Sequence, residues 1–235
     1  MTITSPHNEH LKAIRKLNQR RRNRDQRARF VAEGEDLLAA ADAAGWEPVE
    51  RYCAAGSGLA GTEVEPDVLA SVSELGSGTR TLAVYEERWA PAPAGPLCVY
   101  LHGVHDPGNV GTILRSAEAF GAASVVIGPG TADPFGPKAV RASMGAVFTV
   151  PLARAGTVDA LPGPTVALDA DAGEPLDTLA LSTATLLVGA ERDGLPADTL
   201  AAADHVARIP IATHSLNAAM AATVALYEVS RMARK

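Results

Sequence analysis

Residues 97–121, LCVYLHGVHDPGNVGTILRSAEAFG, decide the fold of the second half of this chain. The apolar run Leu97–Leu101 predicts a strand, a loop rich in glycine, proline and asparagine follows, and a helical pattern begins near Gly111. Asn109 is placed to cap that helix, and Arg115 follows one turn later. A helix N-terminus offers N–H groups to an anion, and a guanidinium suits a phosphate. This segment alone is equally consistent with an ordinary strand–turn–helix junction that carries a surface arginine.

Short apolar runs alternate with helical patterns over the rest of this half. Continuous apolar strands that alternate with helices are typical of a parallel sheet covered on both faces, so we expect an α/β domain. Because ligands bind beyond the carboxyl ends of such strands, we expect functional residues in the loops there. The predicted strands are Leu97–Leu101, Ser124–Ile127, Val147–Val150, Thr165–Leu168, Thr185–Val188 and His205–Ile209, and the predicted helices are Thr112–Phe120, Pro137–Ser143, Val158–Leu161, Pro196–Ala202 and Ser215–Ala233.

Two further strand-to-loop junctions carry unusual residues, at 187–196 and 208–217. In the first, the carboxylate of Glu191 lies between glycines, which permit a close backbone approach. In the second, Ser215 is a natural N-cap for the closing helix, and Asn217 lies in its first turn, where its amide can face a ligand. Each junction by itself is consistent with simple turn formation. Three of them at one edge of a predicted sheet favour a shared site.

Charge is distributed unevenly along the 235 residues, whose formal net charge is −6. Residues 11–29 hold nine cations and one acid, so this segment carries +8 and the remainder carries −14. A basic stretch on an acidic body suits a polyanion. The spacing of Leu11, Ile14 and Leu17 predicts a helix with a basic exposed face, although a solvated helix face or frayed tail is the alternative. The residues predicted to bind nucleic acid are Lys12, Arg15, Lys16, Arg20, Arg21, Arg22, Arg24 and, in the second half, Arg141.

A proline-rich segment at residues 91–96 predicts a linker between two domains, 1–90 and 97–235. The shorter part is expected to be a small α/β module. Its predicted elements after the basic helix are a helix over Asp36–Ala44, a strand over Val49–Cys53, a helix over Asp67–Leu75 and a strand over Thr81–Tyr85.

Composition argues against several classes of protein. No apolar run approaches the roughly 18 residues that span a bilayer, and the first residues lack the apolar region of a secretory signal, so we expect a cytoplasmic protein without membrane contact. Cys53 and Cys98 lie far apart, which argues against a disulfide scaffold or a thiolate zinc cluster. The spacing of His102, His105 and His214 is a weak metal-ligand pattern, and we expect no metal.

Three segments resemble, in this order, the three motifs of the SpoU/TrmH family of RNA ribose 2′-O-methyltransferases, which belong to the SPOUT superfamily. They are His105–Gly121, Val188–Leu195 and Ser215–Asn217. The segment Pro137–Ala146 is also similar, and the resemblance covers residues 97–235 almost continuously. Residues 8–38 resemble the ribosomal-protein-like substrate-binding domain that often precedes this catalytic domain.

The resemblance implies a parallel-sheet SPOUT domain with a C-terminal trefoil knot, preceded by a small α/β substrate-binding domain. It implies that S-adenosyl-L-methionine binds in the knot and that a methyl group is transferred to a ribose 2′-hydroxyl. The implied cofactor-binding residues are Leu168, Asp169, Ala170, Val188, Gly189, Glu191, Gly194, Ile209, Ile211, Ser215, Leu216 and Asn217. The implied catalytic residues are Arg115, Asn109, Glu191, Ser215 and Asn217.

The family also forms homodimers through the knotted region, and an apolar face on the last helix is suited to that interface: Leu216, Met220, Val224 and Tyr227. The separate N-terminal module favours 23S rRNA as substrate. A tRNA substrate, base methylation on the same fold and a non-catalytic RNA-binding protein are the alternatives.

The resemblance implies that Arg115 activates the ribose hydroxyl. Because a guanidinium is effectively always protonated, we interpret it as a group that orients phosphate and stabilises charge, not as a base. The chain departs from the family in the segment 209–215, which is shorter than usual, and at Ile211, where methionine is common. The first departure leaves the cofactor contacts of residues 212–214 open.

Overall fold

A computed structural model describes residues 2–74, 78–213 and 215–233. Within these ranges the chain forms a four-stranded and a seven-stranded sheet. The N-terminal module contains α1 (Glu9–Gln19), α2 (Arg21–Arg27), β1 (Arg29–Glu33), α3 (Glu35–Ala43), β2 (Glu50–Ala54), β3 (Thr62–Val64), α4 (Pro66–Ala70) and β4 (Thr81–Glu86). Its sheet has the order β1-β4-β2-β3 and is mixed, because β2 and β3 are parallel and the other pairs antiparallel.

The large module begins with a strand that is buried along its whole length. Its elements are β5 (Leu97–Leu101), α5 (Pro107–Ala119), β6 (Ser124–Ile127), α6 (Pro137–Ser143), α7 (Ala146–Thr149), β7 (Leu152–Arg154), β8 (Thr165–Leu168), β9 (Glu174–Pro175), β10 (Ala184–Val188), α8 (Ala197–Ala202), β11 (His205–Arg208) and α9 (Ala218–Met232), with 3-10 turns at Val158–Ala160 and Leu176–Thr178. Every strand pair in this sheet is parallel, in the order β7-β6-β5-β10-β8-β11-β9. The carboxyl ends of its strands therefore meet at one edge, as expected for an α/β domain.

The basic segment forms two helices instead of the single predicted one. Asn8 caps α1 by accepting hydrogen bonds from the backbone N–H groups of His10 (3.0 Å) and Leu11 (3.4 Å). The backbone is extended at Arg20, with φ −138°, which ends α1 and starts α2. The apolar stripe of α1 packs into the N-terminal module, where Leu11, Ile14 and Leu17 are buried. The final residues of the basic segment continue into β1, which the sequence analysis did not predict.

One predicted strand is wrong. Residues 147–150 lie in and directly after the short helix α7, and the strand follows at Leu152–Arg154. A short apolar run does not distinguish a buried helix from a buried strand. The left-handed backbone of Gly145, with φ +101°, and a Pro151 carbonyl that accepts from the N–H of Val125 (2.9 Å) set the actual boundaries. The short strands β3 and β9 were not predicted either, because few residues carry their pattern.

Two helix starts differ from their predicted positions. Asp106, and not Asn109, caps α5, so this helix begins at Pro107, a favourable first helical residue. Asn217, and not Ser215, caps α9, which begins at Ala218. Both predictions chose a good capping residue in the correct loop but at the wrong position. The predicted helix over Asp67–Leu75 ends at Ala70, and Leu75 lies outside the described residues.

The two modules share one hydrophobic core. The Phe30 ring of β1 lies 4.8 Å from the Phe135 ring, and the Trp46 ring lies 5.2 Å from the Phe148 ring. Trp46 also donates its indole N–H to the carbonyl of Phe148 (2.8 Å). The predicted linker lies against the large sheet, since the N–H of Ala94 donates to Ser124 Oγ (2.9 Å). The modules are therefore packed together over their aromatic residues.

Across the described ranges, the helices are too short or too polar to span a lipid bilayer. Likewise, no three histidine, cysteine or acidic side chains in those ranges lie close enough together to hold a metal ion. His214, considered above as a potential ligand, lies outside the described residues.

Candidate functional site

Loops at the carboxyl edge of the large sheet surround one cavity of about 410 Å³, which we call the main cavity. This volume suits a small-molecule ligand. Asn217 does not line the main cavity and instead caps the helix beside it. The other residues predicted to bind a cofactor all line it: Leu168, Asp169, Ala170, Val188, Gly189, Glu191, Gly194, Ile209, Ile211, Ser215 and Leu216.

A tight backbone turn after β10 forms one wall of the main cavity. The N–H of Ala190 donates to the carbonyl of Gly194 (3.0 Å), and the N–H of Gly194 donates back to the carbonyl of Ala190 (3.1 Å). A Cβ on Gly189 would lie 2.3 Å from the Gly194 carbonyl carbon and 2.5 Å from the backbone N of Leu195. Glycine at position 189 therefore allows the chain to fold back over the end of its own strand.

Three polar side chains from three loops are hydrogen-bonded in a row beside this turn. Asn109, the third residue of α5, donates through Nδ2 to Glu191 Oε1 (2.6 Å). Asn217 donates through Nδ2 to Asn109 Oδ1 (3.1 Å). The Oδ1 of Asn217 accepts from the backbone N–H groups of Ala219 (2.9 Å) and Met220 (3.3 Å). Both amides are therefore held in one orientation, and we call this set the Asn–Asn–Glu row.

The start of α5, which carries Asn109, is fixed by its cap and by α6. Asp106 Oδ1 accepts from the backbone N–H of Gly108 (2.9 Å) and from Lys138 Nζ (2.7 Å). The Lys138 ammonium and then that N–H lower the pKa of Asp106 below its ordinary value. Further along, α5 packs tightly on the same helix α6, since a Cβ on Gly111 would lie 2.3 Å from the carbonyl oxygen of Ala139.

The predicted catalytic residues do not all lie together at the main cavity. Ser215 is exposed and lines the main cavity, as does Glu191 of the Asn–Asn–Glu row. Arg115 does not line the main cavity. It lies six residues after Asn109 on α5, about 9 Å further along the helix axis. Within the described residues, this exposed arginine makes no hydrogen bond or ion pair.

Charged residues that were not singled out individually also line the main cavity: Arg192 and Asp193, which lie inside the motif segment Val188–Leu195, and Asp171, which follows Ala170. They are direct neighbours of predicted residues in the same loops, and that adjacency was the available signal. Together with Asp169 and Glu191 they make the rim mainly acidic, which favours a ligand that carries positive charge. Apolar lining residues that were also missed are Leu195, Leu200, Ala218 and Ala221.

Arg24 was predicted to bind RNA, and the structure corrects this prediction. Its Nε donates to Asp133 Oδ2 (2.7 Å), and the two side chains are only 7% and 12% exposed. Its Nη1 donates to the carbonyl of Leu17 (2.5 Å). The guanidinium is therefore occupied by partners within the chain, and it joins α2 to the large module. Charge counting could not show this, because the partner Asp133 is distant in sequence.

The other cations predicted to bind RNA differ in how available they are. Arg15 is partly occupied, since it donates to the carbonyl of Pro6 (2.8 Å) and to Ser71 Oγ (2.8 Å). Lys12 pairs with Glu9 (2.8 Å) and Arg21 lies 3.7 Å from Asp25, both at the surface. The following are exposed and form no ion pair within the described ranges: Lys16, Arg20, Arg22 and Arg141.

Comparison with known proteins gives matches over both modules. Residues 96–227 match the model of the SpoU rRNA Methylase family, and residues 8–83 match the MRM3-like substrate binding domain. The crystal structure of an AdoMet-bound rRNA methyltransferase from Sinorhizobium meliloti is 33% identical and covers 98% of this chain and 97% of that one, with a TM-score of 0.86. The crystal structure of the SpoU methyltransferase AviRb from Streptomyces viridochromogenes, in complex with the cofactor AdoMet, is 26% identical. It covers 96% of this chain and 98% of that one, with a TM-score of 0.85.

Among curated relatives, the 23S rRNA (guanosine(2553)-2′-O)-methyltransferase RlmP of Bacillus subtilis is 33% identical over 69% of this chain and 69% of its own length. The chain spans only 32% to 55% of the length of several other curated relatives. The family match covers more than half of the chain and includes every residue that lines the main cavity. The chain belongs to the SpoU rRNA Methylase family, and an MRM3-like substrate binding domain precedes its methylase domain.

Proposed function

We propose that this protein is an S-adenosyl-L-methionine-dependent RNA methyltransferase that methylates a ribose 2′-hydroxyl in 23S rRNA. One observation carries the proposal: the second motif segment and the start of the third line the main cavity, and Asn109 of the first is tied to them through the Asn–Asn–Glu row. The methyltransferases with AdoMet-bound structures that this chain resembles over nearly its whole length support the choice of cofactor.

The residues of the main cavity fit S-adenosylmethionine. Leu168, Ile209 and Leu216 offer apolar contacts for an adenine ring, and the glycines of the 189–194 turn bring backbone polar groups close to the ligand. The acidic rim, which includes Asp169 and Asp193, complements a cationic ligand. When bound, the sulfonium of this cofactor supplies an activated methyl group.

For transfer to occur, a ribose hydroxyl has to be aligned with the methyl group and lose its proton. Asn109 and Asn217 fix the direction of the Glu191 carboxylate, which lies on the cavity wall and can position the hydroxyl together with Ser215. Arg115 orients a phosphate of the target nucleotide and stabilises developing charge, and the proton leaves through phosphate or water. Because it has no partner among the described residues, the guanidinium is available for that contact.

The proposal includes a homodimer. Met220, Val224 and Tyr227 are 61%, 41% and 53% exposed and lie on one face of α9, so they form an apolar stripe suited to a second copy. The helix α5, which carries Arg115, packs beside this stripe, since Ser116 Oγ lies 2.6 Å from Thr223 Oγ1. A dimer formed here would therefore place Arg115 near the interface.

The proposal also includes a trefoil knot around the main cavity, as the resemblance to the SPOUT superfamily implies, and a cytoplasmic location, where rRNA is modified. The choice of rRNA over tRNA is supported by the substrate binding domain and by the named activity of RlmP.

Incubation with labelled S-adenosylmethionine and an unmodified 23S rRNA transcript, followed by mapping of ribose methylation, tests this function. We expect label at one ribose 2′-oxygen. Label on tRNA alone or on a base would contradict the proposed substrate or atom. Binding of RNA without S-adenosylmethionine affinity or transfer would identify a non-catalytic RNA-binding protein.

The Arg115→Ala variant tests the role of its guanidinium. We expect transfer to fall by about 10²–10³-fold, as is typical when one group that stabilises transition-state charge is removed, while cofactor affinity stays within a few-fold. Arg80→Ala, at an exposed arginine before β4 in the N-terminal module, is the matched control and keeps its activity. Loss of cofactor binding in Arg115→Ala would show that the proposed role is wrong.

A further inference from the structure

A second depression, of about 300 Å³, opens beyond the ends of β6 and β7 and shares no described residue with the main cavity. Its walls are the loop Ile127–Pro129, the turn Arg154–Gly156 and the side chain of Arg21 from α2. Because the strands of the large sheet are parallel, both openings lie at the same edge. Since β6 and β10 are separated by one strand, the nearest strands that border the two openings lie roughly 10 Å apart across the sheet. We call this depression the arginine cleft.

Arg154 is held in position by stacking. Its guanidinium carbon lies 3.9 Å from the centre of the Trp89 ring. That ring is fixed in turn, because its centre lies 5.2 Å from the Phe135 ring and its indole N–H donates to Glu87 Oε2 (3.0 Å). Stacking uses the face of a guanidinium and leaves its N–H edge available for an anion. Among the described residues, no acid lies within ion-pair distance of Arg154, although the carboxylate of Glu87 is near enough for the two charges to interact.

Arg21 is brought to the cleft from the N-terminal module. The buried ion pair between Arg24 and Asp133 joins α2 to the large module. One turn earlier, Arg21 Nη1 donates to the carbonyl of Thr131 (3.3 Å), and half of its side chain remains exposed. Asp25 approaches Arg21 only at 3.7 Å. The arginines of the two modules therefore lie at one depression with their donors largely available.

The turn after β7 adds backbone donors. The N–H groups of Ala155 and Gly156 form no hydrogen bond within the described chain, and Gly156 is exposed. A Cβ on Gly156 would meet no heavy atom within 4 Å, so a ligand can approach this backbone closely. Guanidinium groups together with free backbone N–H groups are a typical arrangement for binding phosphate.

We propose that the arginine cleft binds a backbone phosphate of the RNA strand that enters the main cavity, a few nucleotides from the methylated ribose. The proposal rests on the function proposed above. RNA is the occupant because one strand can place a phosphate in the arginine cleft and a nucleotide at the main cavity. A free anion or an acidic side chain would occupy the arginine cleft alone. The cleft thus lets the substrate binding domain and the methylase domain hold the same strand, and it fixes which ribose reaches the main cavity.

The cleft is tested by the variants Arg21→Gln and Arg154→Gln. Their affinity for an unmodified 23S rRNA transcript is measured between 50 and 200 mM KCl. We expect each variant to bind about tenfold more weakly and to lower the slope of log affinity against log salt by about 0.7, the value for one single-stranded phosphate contact. Arg154→Lys keeps the charge and should retain the slope. Arg80→Gln removes the same charge from the start of β4, roughly 20 Å along that strand from Glu87, and should change neither quantity.

Turnover and cofactor binding separate this proposal from the function on which it rests. We expect Arg21→Gln and Arg154→Gln to raise KM for the transcript about tenfold, with kcat and the S-adenosylmethionine Kd unchanged. If the wild-type protein methylates the transcript but both variants keep its affinity and salt slope, the cleft is refuted alone. Equal effects in Arg80→Gln would also refute it, because they would reflect overall charge. If inorganic phosphate binds the cleft and both variants still hold the transcript normally, only a free-anion site exists. A wild-type protein that binds cofactor but transfers no methyl group would refute the proposed function instead.

Discussion

Gly189→Ala should weaken cofactor binding, lower the stability of the fold, or do both, because glycine at this position lets the wall of the main cavity fold back on itself. The added Cβ would lie 2.3 Å from the Gly194 carbonyl carbon, 2.5 Å from the Gly194 oxygen and 2.5 Å from the backbone N of Leu195. These are backbone atoms, so no side-chain rotation removes the overlap. The turn has to open, and its two hydrogen bonds of 3.0 and 3.1 Å are strained or lost.

Overpacking of this kind costs about 1–3 kcal/mol. If the turn opens to relieve it, the wall of the main cavity moves and the cost appears in binding, where 1–3 kcal/mol corresponds to a Kd about 5- to 150-fold higher. If the turn stays closed, the cost appears in the free energy of unfolding instead. The sum of the two losses should therefore fall in this range.

Isothermal titration with S-adenosylmethionine and urea unfolding measure the two parts of this cost. The matched control is Gly173→Ala, because a Cβ there meets nothing within 4 Å and the backbone is not left-handed. We expect the control to bind normally and to be as stable as the wild type or up to about 1 kcal/mol more stable. A Gly189→Ala protein with Kd within twofold of wild type and unchanged stability would refute the reasoning.

Three further predictions follow from individual contacts. Asn217→Asp keeps the oxygen that caps α9 but loses the amide that donates to Asn109, so stability should stay within about 0.5 kcal/mol while methyl transfer falls at least about tenfold; equal losses in thermal unfolding and transfer would contradict this. Arg24→Met leaves the buried carboxylate of Asp133 unpaired and should lower the free energy of unfolding, measured with urea, by about 3–5 kcal/mol. Adding Asp133→Leu should restore most of this loss. Wild-type stability of the single variant would show that the ion pair is unimportant. Because the pKa of Asp106 is lowered in the folded protein, its ion pair and cap stabilise the fold above the unfolded pKa of about 3.9, and this contribution is lost as pH falls through the folded pKa. Asp106→Asn should therefore flatten the fall of stability below about pH 4, by a small amount because the carboxylate is half exposed. An unchanged acid profile of unfolding would exclude this group.

The structure also changes which experiments on the basic segment are informative. Leu11, Ile14 and Leu17 are buried in the N-terminal module, and Arg24 joins that module to the large one. Deletion of residues 1–30 would therefore remove part of the core along with the exposed cations. Single substitutions at exposed positions such as Arg22 separate RNA contacts from folding.

The family, the parallel sheet and the loops of the main cavity could be predicted from the sequence. Uninterrupted apolar runs such as Leu97–Leu101 identify buried parallel strands, and the carboxyl ends of such strands necessarily share an edge. The glycines and polar residues that follow these runs therefore had to lie near one another, and most of those predicted to bind a cofactor line one cavity.

The local sequence pattern could not predict features that depend on contacts between distant segments. Residues 147–149 are helical because the strand that pairs with β6 begins only at Leu152, and Arg24 is buried because Asp133 lies opposite it. The arginine cleft likewise exists only because α2 packs beside the ends of β6 and β7. The sequence by itself determined the types of element and the edge at which functional residues gather, since periodicity and chain direction are local properties. Only the tertiary structure decided which charges are buried and which face RNA, because the burial of a side chain depends on partners that lie far away along the chain.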